Sequence, residues 1–184
     1  MNWDHLIFKL INQNLSNSVF DAFFPVVTDL HKMSWFPYIA IALFLGIFFK
    51  KYGRWTFYYL FMLLLTLGLN DWIGAQVKHA AQRPRPFQLQ ELQTVQRSPA
   101  SPNSSFYSNH SSNNFAAAYQ LSALFPQASF IFYTIAFLIA YSRVYNGVHF
   151  PSDVICGALA GLLFSIAIFY LFKLIKNKIQ GLQK

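Results

Sequence analysis

The segment WTFYYLFMLLLTLGLNDWIGAQV, residues 55–77, decides the fold class of this chain. It contains no lysine or arginine, and its one acidic residue, Asp71, lies near its end beside Asn70. A helix of about 20 apolar residues crosses the hydrocarbon core of a bilayer. We therefore interpret the segment as a transmembrane helix. The sequence leaves open whether Asn70 and Asp71 form a functional pair or simply lie at the interface.

The composition of the whole chain agrees with a membrane protein. Of its 184 residues, 55% are hydrophobic and 11% are charged, which is too few charges to cover a water-soluble globule. At about 20 residues per crossing, the length allows roughly five or six helices in a single membrane-embedded domain that spans residues 1–184. The prediction is an all-α polytopic membrane protein, a bundle of about six transmembrane helices.

Apolar segments on both sides of residues 55–77 supply the other predicted spans. Residues 2–13 favour an amphipathic surface helix. Residues 78–114 are rich in Pro, Ser, Gln and Asn without helical periodicity, and we predict a loop outside the hydrocarbon. The further spans are predicted at residues 19–30, where Pro25 interrupts the helix, and at 35–49, 115–125, 128–145 and 151–175.

The basic residues predict which way the bundle faces. Short cytoplasmic loops are enriched in Lys and Arg. Four basic residues, Lys78, Arg83, Arg85 and Arg143, fall in or near short polar motifs. If these motifs bind an anion, the site faces away from the cytoplasm of an inner (plasma) membrane. With six spans and both termini inside, eight of the fourteen Lys and Arg residues are cytoplasmic: Lys9, Lys50, Lys51, Arg54, Lys173, Lys176, Lys178 and Lys184.

The formal net charge of +8 and the single cysteine bear on two other classes of protein. The basic residues form no stripe on a soluble module, so nucleic-acid binding is not expected. Cys156 has no second cysteine to pair with, which excludes an intrachain disulfide and a CxxC zinc site. A zinc site from His79, His110 and His149 is conceivable, but Asp153 is the only acidic residue near it.

Three polar segments carry the candidate chemistry: KHAAQRPRP at residues 78–86, YSNHSSNN at 107–114 and SRVYNGVHFPSD at 142–153. In the six-span topology all three emerge on the same side of the membrane. Polar residues that are distant in sequence should therefore meet at one end of the bundle.

The cations and histidines of these segments suit phosphoryl transfer. Guanidinium groups bind phosphate oxygens in bidentate fashion and stabilise the charge that develops in the transition state. A neutral histidine can attack phosphorus when a carboxylate orients its ring, and His149 and Asp153 have the four-residue spacing that allows this contact. His110 is the candidate for a second histidine that protonates the leaving group.

These motifs resemble the three-part signature of the type 2 phosphatidic acid phosphatase superfamily. The first part, K-x6-R-P, lies at residues 78–86, and the third, S-R-x5-H-x3-D, lies at residues 142–153. The second part departs from the family's Pro-Ser-Gly-His, because Tyr107 and Asn109 replace the proline and the glycine. Asparagine tolerates left-handed backbone conformations better than most residues, so the replacement of glycine is sterically plausible.

The resemblance implies a bundle of six transmembrane helices and a phosphohistidine intermediate on His149. It implies that Asp153 orients His149, that His110 protonates the leaving group, and that neither a metal nor another cofactor is required. Arg83 lies outside the motif spacing and can equally be an anchor to lipid headgroups. The residues implied to hold the phosphate are Lys78, Arg85, Ser108, Asn109 and Arg143.

The predicted activity is removal of a phosphate from a membrane lipid, and undecaprenyl diphosphate is the first candidate because the site would face the side where that carrier is released. Lipid A, phosphatidylglycerophosphate and phosphatidic acid are alternatives, as is transfer of the phosphate to an acceptor other than water. A non-enzymatic lipid-phosphate transporter or binding protein would need the cations but not the pair of His149 and Asp153. A vanadate-dependent haloperoxidase would share the anion site. The expected partners are the bilayer and the lipid substrate, and the oligomeric state is left open.

Overall fold

The computed structural model describes residues 2–29 and 33–181, and within these ranges it contains helices and no strand. The predicted all-α membrane bundle is confirmed, since six longer helices correspond to the six predicted spans. Residue 30, the last of the first predicted span, lies outside the described residues. The helices are α1 Trp3–Lys9, which continues into a π-helical turn at Leu10–Asn14, α2 Ser18–Asp29, α3 Phe36–Tyr52, α4 Thr56–Ala81, α5 Asn109–Leu124, α6 Ser129–Tyr145 and α7 Pro151–Gly181.

The helices differ in their ability to cross a membrane. Three helical segments of the described chain are long and apolar enough to do so: Tyr38–Gln88, which contains most of α3 and all of α4, Pro126–Tyr145 and Pro151–Gly181. Helices α2 and α5, with 12 and 16 residues, measure about 18 and 24 Å, which is less than the ~30 Å of a hydrocarbon core. Both short helices have a polar end, at Asp29 and at Asn109, and both ends border the candidate site.

The predicted loop at residues 78–114 is wrong at both ends. Helix α4 continues to Ala81, so Lys78 is helical, and α5 begins at Asn109, six residues before the predicted start of that span. The first turn of α5 is stable despite its polar sequence because Ser108 caps it, with its hydroxyl accepting from the Ser111 N–H at 3.4 Å. Hydrophobicity alone cannot separate a polar helical turn from a loop. The irregular segment is therefore confined to residues 82–108.

Helix α1 is the predicted amphipathic helix, and it packs against the protein with one face. Asp4, Phe8 and Asn12 repeat at four-residue spacing and are all buried. The Asn12 side-chain amide donates to the backbone carbonyls of Val95 and Tyr145 at 2.9 and 2.8 Å. The N-terminal segment is thereby fixed between the 82–108 segment and the end of α6, on the side where the three motifs emerge. The predicted cytoplasmic position of Lys9, opposite the motifs, is therefore wrong, since its ammonium donates to the Glu91 carbonyl at 3.4 Å.

Helices α5 and α7 pack closely through small residues. A Cβ added at Gly157 would lie 2.6 Å from the carbonyl oxygen of Ser108, and one added at Gly161 would lie 2.0 Å from that of Ser112. One turn further, the Ser165 hydroxyl donates to a backbone carbonyl of α5 at 2.8 Å. Small residues at such spacing let helix backbones approach in a membrane. This approach brings the N-termini of α5 and α7 together, and with them two of the three predicted motifs.

Candidate active site

The three motifs meet around one cavity of about 270 Å³, where α4 ends and α5 and α7 begin. Asp29, at the end of α2, also lines this cavity and was not predicted. Two predicted site residues, Ser108 and Asp153, are fully buried behind the lining. The predicted residues that line the cavity are Lys78, Arg85, Asn109, His110, Arg143 and His149.

His149 lies at the centre of this arrangement. Only 3% of the residue is exposed, its Nε2 lies 3.4 Å from Arg85 Nη1, and its Nδ1 lies 3.6 Å from Asp153 Oδ2. The second distance is longer than a hydrogen bond, although catalytic hydrogen bonds are often long in a free enzyme and shorten when substrate binds. Burial is the main cause that lowers the pKa of His149 from 6.5 to about 4; Arg143 and Arg85 lower it further, and Asp153 opposes them. The imidazole is therefore neutral near pH 7, as a nucleophile must be.

Asp153 is held from two sides in the first turn of α7. Its Oδ2 accepts the backbone N–H of Phe150 at 2.8 Å, and its Oδ1 accepts Arg83 Nη1 at 2.6 Å. The dipole of α7 also favours a carboxylate in this turn. These contacts fix the carboxylate beside the His149 ring.

Arg83 is the residue whose role the motif spacing missed. Besides Asp153, its guanidinium donates to the hydroxyl of Ser152 at 2.7 Å and to Asp4 Oδ2 at 2.6 Å. Asp4 in turn accepts the backbone N–H of Ser152 at 2.9 Å. Asp4, Arg83 and Asp153 thus form a continuous chain of ion pairs from α1 to the residue that faces His149. The sequence carries one indirect signal: Asp4 shares a helix face with Phe8, where an uncompensated charge would be costly, but the sequence does not identify the partner.

Arg85 and Arg143 place two nearly buried guanidinium groups at the cavity, each 5% exposed. Arg85 Nη1 donates to the carbonyl of Val148 at 2.9 Å, and its Nη2 donates to Asn103 Oδ1 at 2.8 Å. Arg143 Nη1 donates to the hydroxyl of Thr28 at 2.7 Å, while its buried Nε has no hydrogen-bond partner among the described residues. The hydrogen bonds of both guanidinium groups go to neutral partners, although the Asp29 carboxylate in the same cavity also acts on Arg143 electrostatically. A phosphate in the cavity would meet two cations that are already in place.

Lys78 contributes a third cation from the last turns of α4. Its ammonium donates to the backbone carbonyl of Tyr107, which ties α4 to the segment before α5. The neighbouring Ser108 uses its hydroxyl to cap α5 and its N–H to bond the carbonyl of Asp153 at 3.1 Å. Ser108 thus connects α5 to α7 from behind the cavity wall, through its side chain on α5 and its backbone on α7.

Asn109, which stands where the family usually has glycine, does not adopt a left-handed conformation, because it is the first residue of helix α5. Its side-chain amide donates to Asp71 Oδ1 at 3.0 Å, and the amide of Asn113 donates to the same oxygen at 2.9 Å. Gly74 makes room for it, since a Cβ there would lie 2.4 Å from Asn109 Oδ1. Asp71 and Asn70 therefore belong to a polar network, in which Asn70 donates to Asn113 at 2.5 Å.

The histidines do not assemble as a zinc site. His110 and His149 line the 270 Å³ cavity, whereas His79 lines a neighbouring groove of about 700 Å³ together with Gln82 and Arg83. Within residues 2–29 and 33–181, no three His, Cys, Asp or Glu side chains are grouped so that they could hold a metal ion.

The structure is a helical membrane bundle with a buried histidine, its carboxylate and three cations at one end. This combination defines a class of protein, and a comparison of the sequence with family models identifies that class. The family model of the PAP2 superfamily matches residues 55–176, which contain all three motifs, and the chain belongs to this superfamily.

The chain is also similar to individual proteins, in sequence and in structure. The lipid A 1-phosphatases of Rhizobium johnstonii and Rhizobium etli are 35% and 34% identical to this chain over 120 residues, which is 62% of this chain and 47% and 50% of theirs. The chain thus spans about half the length of these curated relatives. LpxE of Aquifex aeolicus has a similar structure, with a TM-score of 0.75 and 29% identity over 92% of this chain and 96% of that chain. A PAP2-type phosphatidylglycerolphosphate phosphatase of Bacillus subtilis has a TM-score of 0.69 and 28% identity over 96% of this chain and 85% of that chain.

Proposed function

We propose that the protein is an integral membrane lipid phosphatase that hydrolyses a lipid phosphomonoester or diphosphate through a phosphohistidine intermediate. The observation that carries the proposal is the buried, neutral His149, which lies between the carboxylate of Asp153 and the guanidinium of Arg85. A site that only bound a lipid phosphate would need the cations but not a buried, neutral histidine beside a carboxylate. The names of the relatives, two lipid A 1-phosphatases and a phosphatidylglycerolphosphate phosphatase, agree with this chemistry.

The reaction would proceed in two steps, phosphorylation of His149 and hydrolysis of the phosphohistidine. In the first, the lone pair of His149 Nε2 attacks phosphorus, the bond from phosphorus to the leaving oxygen breaks, and His110 gives that oxygen its proton. In the second, water attacks the phosphohistidine, His110 takes a proton from the water, and the P–N bond breaks to release inorganic phosphate. Asp153 stabilises the positive charge that the His149 ring acquires during attack.

The cations would stabilise the transition state of both steps. The charge on the phosphoryl oxygens is redistributed in the transition state as the P–O or P–N bond breaks. Hydrogen-bond donors that are already in position stabilise this charge without reorganisation. Arg85 and Arg143 meet this condition because neutral partners hold them in place. Lys78 completes the cationic lining, and Asn109 adds an amide that the Asp71 network holds.

The membrane bundle and the relatives favour a lipid phosphate as the substrate, and two lipids are the main candidates. Undecaprenyl diphosphate is the candidate from the sequence, whereas the names of the Rhizobium relatives favour the 1-phosphate of lipid A. We propose that the active site faces away from the cytoplasm, because the opposite end of the bundle carries a dense group of basic residues, which is typical of a cytoplasmic face.

The test is phosphate release by the detergent-purified protein in the presence of EDTA. Four lipids are compared: lipid A, undecaprenyl diphosphate, phosphatidylglycerophosphate and phosphatidic acid. The wild-type chain should release phosphate from at least one of them, His149→Ala should release none, and the matched control His79→Ala should retain activity. Release by His149→Ala, or release that needs an added divalent metal, would reject the histidine mechanism. No release from any lipid would reject the proposed activity.

A further inference from the structure

A second cavity lies at the opposite end of the bundle from the candidate active site. It has a volume of about 360 Å³ and lies between the start of α4, the end of α5 and the end of α7. Asp153 and Lys173 are 20 residues apart on α7, so the two cavities are separated by about 30 Å along that helix. We call it the distal cavity; the lining residues used below are Tyr59, Met62, Leu124, Phe172, Lys173 and Lys176.

The distal cavity has an apolar floor and a cationic rim. Met62, Leu124 and Phe172 are buried and pack together. Lys173 is exposed and Lys176 is half-buried, and both line the same cavity one turn apart on α7. A cavity of this kind fits a molecule with one anionic and one apolar part.

Lys176 is positioned by two aromatic residues, Trp55 and Tyr59. Its ammonium donates to the hydroxyl of Tyr59 at 2.7 Å and lies 4.8 and 5.0 Å from the ring centroids of Trp55 and Tyr59. Such cation–π contacts orient the ammonium but leave its charge in place. The lysine is therefore held at the cavity with its charge uncompensated by these partners.

The acidic residues of the chain cannot supply the missing charge. All six belong to the other end: Asp4 and Asp153 bind Arg83, Asp21 binds Arg97, Asp29 lines the active-site cavity, Asp71 binds Asn109, and Glu91 adjoins Lys9. Among the residues that the structure describes, the end that contains the distal cavity instead carries six basic residues: Lys50, Lys51, Arg54, Lys173, Lys176 and Lys178. None of the six acidic side chains neutralises this end, so an anion from outside the chain is a suitable counter-charge for it.

We propose that the distal cavity binds an anionic phospholipid, with its phosphate between Lys173 and Lys176 and the first carbons of an acyl chain against Met62 and Phe172. Basic pockets between helices at a membrane surface bind lipid headgroups in this way. Beside the cavity, the ring of Phe61, which is 59% exposed, lies 6.1 Å from the ring of Phe172 and offers an apolar surface for the rest of the acyl chain. Because this lipid would contact α4 and α7 together, it stabilises the bundle at the end opposite the reaction.

The test measures lipid binding and thermal stability of the delipidated full-length protein in a neutral detergent. Phosphatidylglycerol, phosphatidylcholine and inorganic phosphate are added separately. Native mass spectrometry should show one phosphatidylglycerol molecule bound per chain. Phosphatidylglycerol should also raise the melting temperature, because a ligand that binds only the folded state stabilises it. Phosphatidylcholine and inorganic phosphate should have much smaller effects. An equal shift with inorganic phosphate identifies a free-anion site, and an equal shift with phosphatidylcholine indicates general lipid solvation; either result overturns the proposal.

Two double variants separate the cavity from general surface charge. Lys173→Gln/Lys176→Gln removes the rim, whereas Lys50→Gln/Lys178→Gln removes the same charge from the same end outside the cavity. Phosphatidylglycerol affinity should fall about fivefold for each rim lysine removed, and it should be nearly unchanged in the control. Lys173→Gln alone, at an exposed position, keeps the test valid if the double variant does not fold. Equal losses in the rim and control variants would overturn the proposal, and neither result depends on phosphatase activity.

Discussion

Arg83 and Asp153 form an ion pair of 2.6 Å between the loop that follows α4 and the first turn of α7, and the other side of the same guanidinium binds Asp4 of α1 at 2.6 Å. Asp153 is completely buried, and the Arg83 side chain is 27% exposed. The carboxylate that faces the candidate nucleophile is thus positioned by a residue outside the family motif, and that residue is in turn held by the N-terminal helix.

Loss of this pair should impair turnover more than substrate binding. We expect Arg83→Gln to lower kcat by about tenfold to a hundredfold with little change in KM, because Asp153 loses its orientation while the phosphate cations stay in place. Asp4→Asn should have the same effect in weaker form. Steady-state kinetics of the purified variants measures both. Arg97→Gln is the control, since Arg97 pairs with Asp21 away from the cavity; it should lower stability and leave kcat intact. A pure KM effect of Arg83→Gln would instead make Arg83 a substrate contact.

Asp153 should matter less than His149. An orienting group usually contributes less than the nucleophile it orients, so we expect Asp153→Ala to retain clearly more activity than His149→Ala. Asp153→Asn should fall near Asp153→Ala, because an amide can hold a ring but cannot balance the positive charge that develops on it. The measurement is kcat for the three variants at one pH, with folding verified by thermal unfolding. Equal or reversed losses would contradict the assignment of roles.

The pH profile should report the buried state of His149. Its pKa is lowered from 6.5 to about 4, so the nucleophile of the free enzyme stays neutral until the pH approaches 4. The acid limb of kcat/KM should therefore lie well below 6.5. Folding stability has the corresponding sign: the folded state binds the proton less readily than the unfolded chain, so stability falls as the pH drops from about 6.5 towards 4. Profiles of kcat/KM and melting temperature between pH 4 and 8 test this, and an acid limb near 6.5 would refute it.

Gly74 and Asn109 should be energetically coupled. In an exposed helix interior, Gly→Ala commonly stabilises by up to about 1 kcal/mol. Here the new Cβ would lie 2.4 Å from Asn109 Oδ1, so Gly74→Ala should destabilise the protein and disturb the cavity lining. In the background of Asn109→Gly, which restores the family's usual residue, the same change should become neutral or stabilising. A double-mutant cycle of melting temperatures measures the coupling. Additive effects would show that the two residues do not share this space.

Much of the architecture could be predicted because apolar spans and charge motifs are local features. The six longer helices lie where hydrophobicity placed them, and the K-x6-R-P and S-R-x5-H-x3-D motifs meet at one end because the topology requires it. The start of α5 was placed too late because its first turn is polar, and its stability comes from the Ser108 cap and from contacts with α4 and α7. The mean hydropathy of a short stretch of sequence contains no information about caps or about contacts with other helices.

The roles of Arg83, Asp71 and Asp4 could not be predicted because each depends on a partner far away in sequence. Arg83 is 70 residues from Asp153, and Asp71 is 38 residues from Asn109. Taken alone, a basic residue at the end of a span is usually an anchor, and a polar residue there usually faces the interface. Only the packed structure shows that these charges face inwards and hold the residues around the cavity.

In the proposed mechanism, His149 forms a covalent bond to phosphorus during turnover. The most direct measurement is rapid quenching of the enzyme with a lipid substrate that carries radiolabelled phosphate, in the presence of EDTA, followed by peptide mapping. We expect an acid-labile, base-stable phosphoryl group on His149 that forms and decays within a turnover and is absent from His149→Ala. Turnover without any labelled histidine, or label on His110 instead, would contradict it.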